Sequence, residues 1–154
     1  MSGFDQNQFG YFDPGIFSGF NAEHFLNFDP ALMSVFDVER VQNFDPTAMF
    51  GFDKDQVGHF DPMAMAGFNN EQFGHFEPKT FGGFGEDHFK NFAPALMSVF
   101  DKERVGNFDP MAMGGFNVEA FENFDPFAME GLDKNHFANF DPFAVGGFNA
   151  EQFS

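Results

Sequence analysis

Histidines and carboxylates recur in this sequence at fixed spacings, and these are the side chains that could do chemistry. His24, His88 and His136 share one place in an eight-residue pattern, and His59 and His75 share another, sixteen residues apart. Two imidazoles stacked one above the other beside an acid would bind a zinc-like ion, so His59 and His75 form the candidate metal pair. Asp fills one column of the pattern at twelve places, and a second column of acids runs two residues further on. Stacked into stripes, these oxygens would suit calcium, but cap carboxylates are engaged by backbone amides, and the expectation is no cofactor. Met63 with Met65 and Met111 with Met113 are soft thioether pairs of the kind that hold Cu(I). Met65 and Met113, however, fall in an apolar column that reads as core. Cys is absent, which removes disulfides and thiolate chemistry. No Ser-His-Asp or Cys-His set is visible, and no glycine-rich phosphate loop follows a strand. No residue stands out as catalytic, because each candidate is repeated along the chain, and the expectation is a non-enzyme.

The elements that would hold these residues follow from the phase of the pattern. From Phe4, every eighth residue to position 148 is Phe, except Leu132. From Phe9, every eighth residue to Phe153 is Phe, Met or Val. Such fixed-period self-similarity marks a repeat architecture. All nine Pro fall at sixteen-residue intervals from Pro14 to Pro142, so Pro and non-Pro octads alternate. Pro30 to Asp37 returns unchanged at Pro94 to Asp101, which suggests block duplication.

Each octad reads as one capped turn of helix. The residue after the leading Phe is Asp or Asn at sixteen of nineteen places, and both are favoured N-caps. The predicted caps include Asp13, Asn21, Asp29, Asp45, Asp61, Asn69, Asp109, Asp125 and Asp141. Pro follows in alternate octads, at the first helical position, where its missing N–H costs nothing. Elsewhere an acid such as Glu23 or Glu71 suits the helix dipole, and a Gln such as Gln56 or Gln72 would complete a capping box. The leading Phe and the second apolar residue have the spacing of a hydrophobic staple. Gly or Asn closes most octads, and these are the residues that accept a left-handed C-cap.

A lone turn is unstable because helix nucleation is costly, so neighbouring turns must cover it. The expected fold is therefore all-α: a solenoid of one-turn helices with two octads in each sixteen-residue coil and a core filled by Phe. One continuous array covers 1–154, about nine and a half coils. At ~8–10 Å per coil the rod would be roughly 80–90 Å long. The predicted core is Phe20, Phe25, Phe28, Phe36, Phe44, Phe52, Phe60, Phe68, Phe73, Phe76, Phe84, Phe92, Phe100, Phe108, Phe116 and Phe124. Nine Pro and 17 Gly exclude a long helix, and a five-three apolar spacing does not alternate as a strand does.

The net charge is −17, with 24 acids against 7 Lys and Arg. That disfavours direct binding to nucleic acid phosphates and suits a basic partner. No apolar stretch approaches a membrane span of about 20 residues. The N-terminal Met-Ser-Gly-Phe-Asp-Gln lacks the basic and apolar segments of a secretion signal, and the compartment is left open. The octads resemble Pro-bearing tandem repeats of the Leu-Thr-Pro-Glu-Gln-Ile-x-x-Leu type found in large bacterial proteins. Phe stands in place of Leu, as in Asn27-Phe28-Asp29-Pro30 and Gly67-Phe68-Asn69-Asn70-Glu71-Gln72-Phe73. The resemblance covers essentially the whole chain and implies a short-helix array, without bringing an activity. The functional expectation is a structural or interaction scaffold that joins itself end to end. The alternatives are an acidic module for a basic or DNA-binding partner, and a calcium-dependent surface repeat.

Overall fold

The computed structural model describes residues 6–153. Among them, nine octads form one short α-turn each: α1 (Gln6–Gly10), α2 (Ala22–Leu26), α3 (Val38–Gln42), α4 (Lys54–Gly58), α5 (Asn70–His75), α6 (Glu86–Lys90), α7 (Lys102–Gly106), α8 (Val118–Glu122) and α9 (Lys134–Ala138). The intervening octads form tighter 3-10 turns: η1 (Pro14–Gly19), η2 (Pro30–Val35), η3 (Pro46–Gly51), η4 (Pro62–Gly67), η5 (Pro78–Gly83), η6 (Pro94–Val99), η7 (Pro110–Gly115), η8 (Pro126–Gly131), η9 (Ala144–Gly147) and η10 (Ala150–Phe153). The described residues contain no strand.

Proline and the cap set which turn forms. In Pro octads the cap carboxylate accepts from the second helical amide, as Asp45 Oδ1 does from Thr47 N at 2.9 Å. The same bond joins Asp13 to Gly15, Asp29 to Ala31, Asp61 to Met63, Asp109 to Met111, Asp125 to Phe127 and Asp141 to Phe143. In α-turns the cap oxygen accepts one residue later, as from His24 N to Asn21 and from Gln72 N to Asn69. Either way, amides left orphaned at a helix start find a partner.

Each element packs on the elements three places before and after it, and on no others. The coil therefore holds three octads, twenty-four residues, in place of the expected two. The sixteen-residue Pro period records which octads alternate; it does not record where the chain returns. Because three is odd, each turn rests on turns of the other kind, α on 3-10, until η10 meets η8. The solenoid has three sides: α2, η3, α5, η6, α8 and η9 form the first; η1, α3, η4, α6, η7 and α9 the second; α1, η2, α4, η5, α7, η8 and η10 the third. About six coils at ~8–10 Å each give a rod of roughly 50–60 Å, shorter than a sixteen-residue coil would give.

Inside runs one continuous apolar core. The leading Phe of one coil meets the second apolar residue of another: Phe25 and Phe52 rings are stacked 4.5 Å apart, and Phe17 meets Phe36 edge to face at 5.1 Å. Such ring pairs add about 0.5–1.5 kcal/mol to burial alone. Every predicted core Phe is buried except Phe20, which is half-buried in the first coil.

The expected left-handed stop does not occur, as no described residue has a positive φ. Asn closes α-turns with its side chain instead, as Asn43 Nδ2 donates to Glu39 O at 2.8 Å. Gly closes the 3-10 turns for want of space. A Cβ on Gly51 would overlap the Ala22 carbonyl, and one on Gly83 the Lys54 carbonyl, both one coil below. In η6, Val99 stands in place of that Gly.

Candidate functional site

The repeated polar chemistry of this molecule lies at the joints between coils, at the third position of the α-turns. Gln56 accepts from its own cap amide, Asp53 N, at 2.9 Å. Its Nε2 then donates to two carbonyls of the coil below, Phe25 O at 2.7 Å and Phe28 O at 2.9 Å. Gln72 and Gln152 repeat the arrangement on Val41 and Phe44, and on Phe121 and Phe124. Phe25 O, Val41 O and Phe121 O also accept from the backbone amide three residues on, and Phe28, Phe44 and Phe124 lie just beyond those α-turns. One side chain thus joins two coils while capping its own turn.

His88 and His136 do the same with a ring. Gly85 N donates to His88 Nδ1 at 2.9 Å, and His88 Nε2 reaches Phe60 O at 2.8 Å. Asp133 N donates to His136 Nδ1 at 3.0 Å, and Nε2 reaches Phe108 O at 2.9 Å. These partners require the neutral ring with its proton on Nε2. Both rings are buried. Burial pushes the His88 pKa below its ordinary 6.5, against the pull of Phe60 O, Asp87 and Asp61. His24 holds the same place in the first coil and bonds only to its own cap, Asn21 N. Arg104 fills the column by pairing with Asp101 and donating to Gly74 O at 2.8 Å. The signal was present in the sequence as a column of Gln, His and Arg, broken by Ala120, where Pro octads carry Ala, Leu, Ile or Thr, but the coil below was needed to show what they reach.

His59 and His75 are not brought together. Three octads per coil place them on different sides, and α4 and α5 do not touch. Each Nδ1 bonds the carbonyl four residues back, Asp55 O at 2.8 Å and Glu71 O at 2.9 Å. They close their turns as Asn does elsewhere. Among the described residues, no group of three or more His, Cys, Asp or Glu is placed to hold a metal ion. Met65 and Met113 are core, whereas Met63 and Met111 are exposed on the second side. Phe127 and Phe143, exposed at the same octad position, lie on the third and first sides. These four exposed apolar side chains share one octad position and are split among three sides. Among the described residues, no helix is long and apolar enough to cross a membrane.

The last coil exposes part of its core column. Phe121 is fully buried, but Phe137 is 42 % exposed, Val145 43 % and Phe153 66 %. These are the second apolar residues of the last three octads, the ones on which no further described turn rests. Phe137, Phe153, Phe127 and Met129 border a surface hollow of about 660 Å³. Comparison with protein-family models, with curated proteins and with solved structures gives no match.

Proposed function

We propose that this protein is a non-enzymatic scaffold, an acidic rod whose copies join end to end. The observation that carries this reading is the exposure of Phe137, Val145 and Phe153 in a column that is buried in the coils below. Covering a Phe side chain is worth roughly 1.5–3 kcal/mol, and in the preceding coils this column is covered by the next turns of the same pattern. The surface that buries this column along the rod is another coil of the same pattern, and a second copy supplies one. The repeated polar side chains support the non-enzymatic part, since they are engaged in holding coils together.

Sedimentation velocity over a concentration series tests the proposal. The expected result is growth beyond one chain as concentration rises, abolished by Phe137→Asp with Phe153→Asp. A single species of one-chain mass at every concentration in the unsubstituted protein would refute end-to-end joining.

A further inference from the structure

One coil in the middle of the rod differs from those on either side. It spans 76–99 and contains η5, α6 and η6. None of its three turns has a side-chain cap. Gly85 and Ala93 have no oxygen to offer. Glu77, with a longer side chain than Asp, turns its carboxylate to Lys79 Nζ on the third side, at 3.0 Å. Lys90, on the second side, pairs with Glu86 of its own turn at 2.8 Å and so ties α6 to itself. In the flanking coils every cap residue, Asp53, Asp61, Asn69, Asp101, Asp109 and Asn117, makes its bond.

A second observation falls on the same coil. Thr80 and His88 bond it to the coil beneath. From above, nothing matches them. Of the three side chains placed to reach down, Ala112 and Ala120 have no donor, and Arg104 reaches past this coil to Gly74 O at 2.8 Å. Among the described residues, no side chain of a later coil bonds a carbonyl between residues 76 and 99, whereas Gln56, Gln72 and Gln152 each hold two carbonyls beneath them. Ring contacts across the same joint are of the usual kind. Phe81 meets Phe100 edge to face at 5.3 Å, and Phe89 lies 4.5 Å from Phe116, as Phe25 does from Phe52. Polar restraint is missing here, and apolar packing is not.

We propose that this coil is a built-in opening joint of the rod: the contact above it parts and its uncapped turns unfold while the flanking coils stay folded. A cap shifts the folding equilibrium of its turn by about two- to thirtyfold, and three neighbouring turns lack one. Stability in a linear array is a sum of intrinsic and nearest-neighbour contributions, so the deficit stays where the caps are missing. Such a unit opens at a lower free energy than the whole. Opening uncovers Phe81, Phe89 and Met97, which are buried and belong to the same column as Phe137, Val145 and Phe153. The joint thus presents, in the middle of the rod, the kind of surface that the last coil shows.

The inference does not depend on end-to-end joining. Hydrogen exchange read by mass spectrometry tests it, on the unsubstituted chain and on the Phe137→Asp, Phe153→Asp chain, so that opening is measured apart from joining. Relative to their intrinsic rates, amides of 76–99 should exchange at least about tenfold faster than those of 52–75 and 100–123. Gly85→Asn with Ala93→Asp restores two caps, on backbone of the same extended form that Asn69 and Asp45 hold. That pair should slow exchange in 76–99 by about tenfold and change the flanking coils by less than about twofold. Gly85→Ala adds carbon without an acceptor and should not slow it. Three coils exchanging alike, restored caps without slowing, or equal slowing by Gly85→Ala would overturn the proposal.

Discussion

His88 shows how a single residue serves two coils. Its ring accepts from Gly85 N and donates to Phe60 O, so a second ring proton would face an amide hydrogen. The folded pKa lies below 6.5, so the unfolded chain binds the proton more readily. Stability from this site is complete above pH 6.5 and is lost as the pH falls through the lowered folded value. His88→Gln should keep both bonds, as Gln56 does, and flatten the melting temperature across that window. An unchanged acid dependence in the variant would rule out His88 as its source. Burial separates Phe residues that look equivalent in composition. Phe73, fully buried, should cost about 3–5 kcal/mol as Phe73→Ala, whereas Phe143→Ala, 88 % exposed, should stay within about 0.5 kcal/mol. Chemical denaturation measures both.

The turns themselves were largely legible in the sequence. Asp-Pro announces a capped start, and that cap bond forms from Asp13 through Asp141 wherever Asp precedes Pro. The division into α and 3-10 turns was not read, although Pro and the earlier cap bond mark it. The closing residues were misread. Gly and Asn suggested left-handed caps, but Asn reaches back to a carbonyl and Gly clears space for the neighbouring coil. Two substitutions follow from this. Ala93→Asp restores a cap that η6 lacks and should stabilise by about 0.5–2 kcal/mol. Gly51→Ala should destabilise by about 1–3 kcal/mol, because the added methyl meets backbone of α2. Thermal melts that moved in the opposite directions would contradict these roles.

For the molecule as a whole, alternation matters more than the length of a coil. Removing residues 60–75 takes out η4 and α5, so a non-Pro octad is still followed by a Pro octad. Removing 60–83 takes out one geometric coil but joins two non-Pro octads and forces like onto like. The shorter deletion should retain a cooperative melt; the longer one should lose cooperativity or melt far lower. Stability in such arrays is a sum over nearest neighbours, so a mismatched joint is felt locally and then cooperatively. If the deletion of a whole coil proved the better tolerated, stacking of α on 3-10 would not be the organising contact.

The sequence by itself determined the octad, its cap, its two apolar residues and the need for neighbours to cover them, because each of these is encoded within eight residues. It did not determine how many octads close a coil, since a period along the chain carries no information about which turns meet in space. Only the tertiary structure decided that number, and with it the sides on which His59, His75, the exposed aromatics and the cations stand. The donors of Gln56, Gln72 and His88 acquired their role at the same step, because the carbonyls they satisfy lie about thirty residues away in sequence and one coil away in the rod.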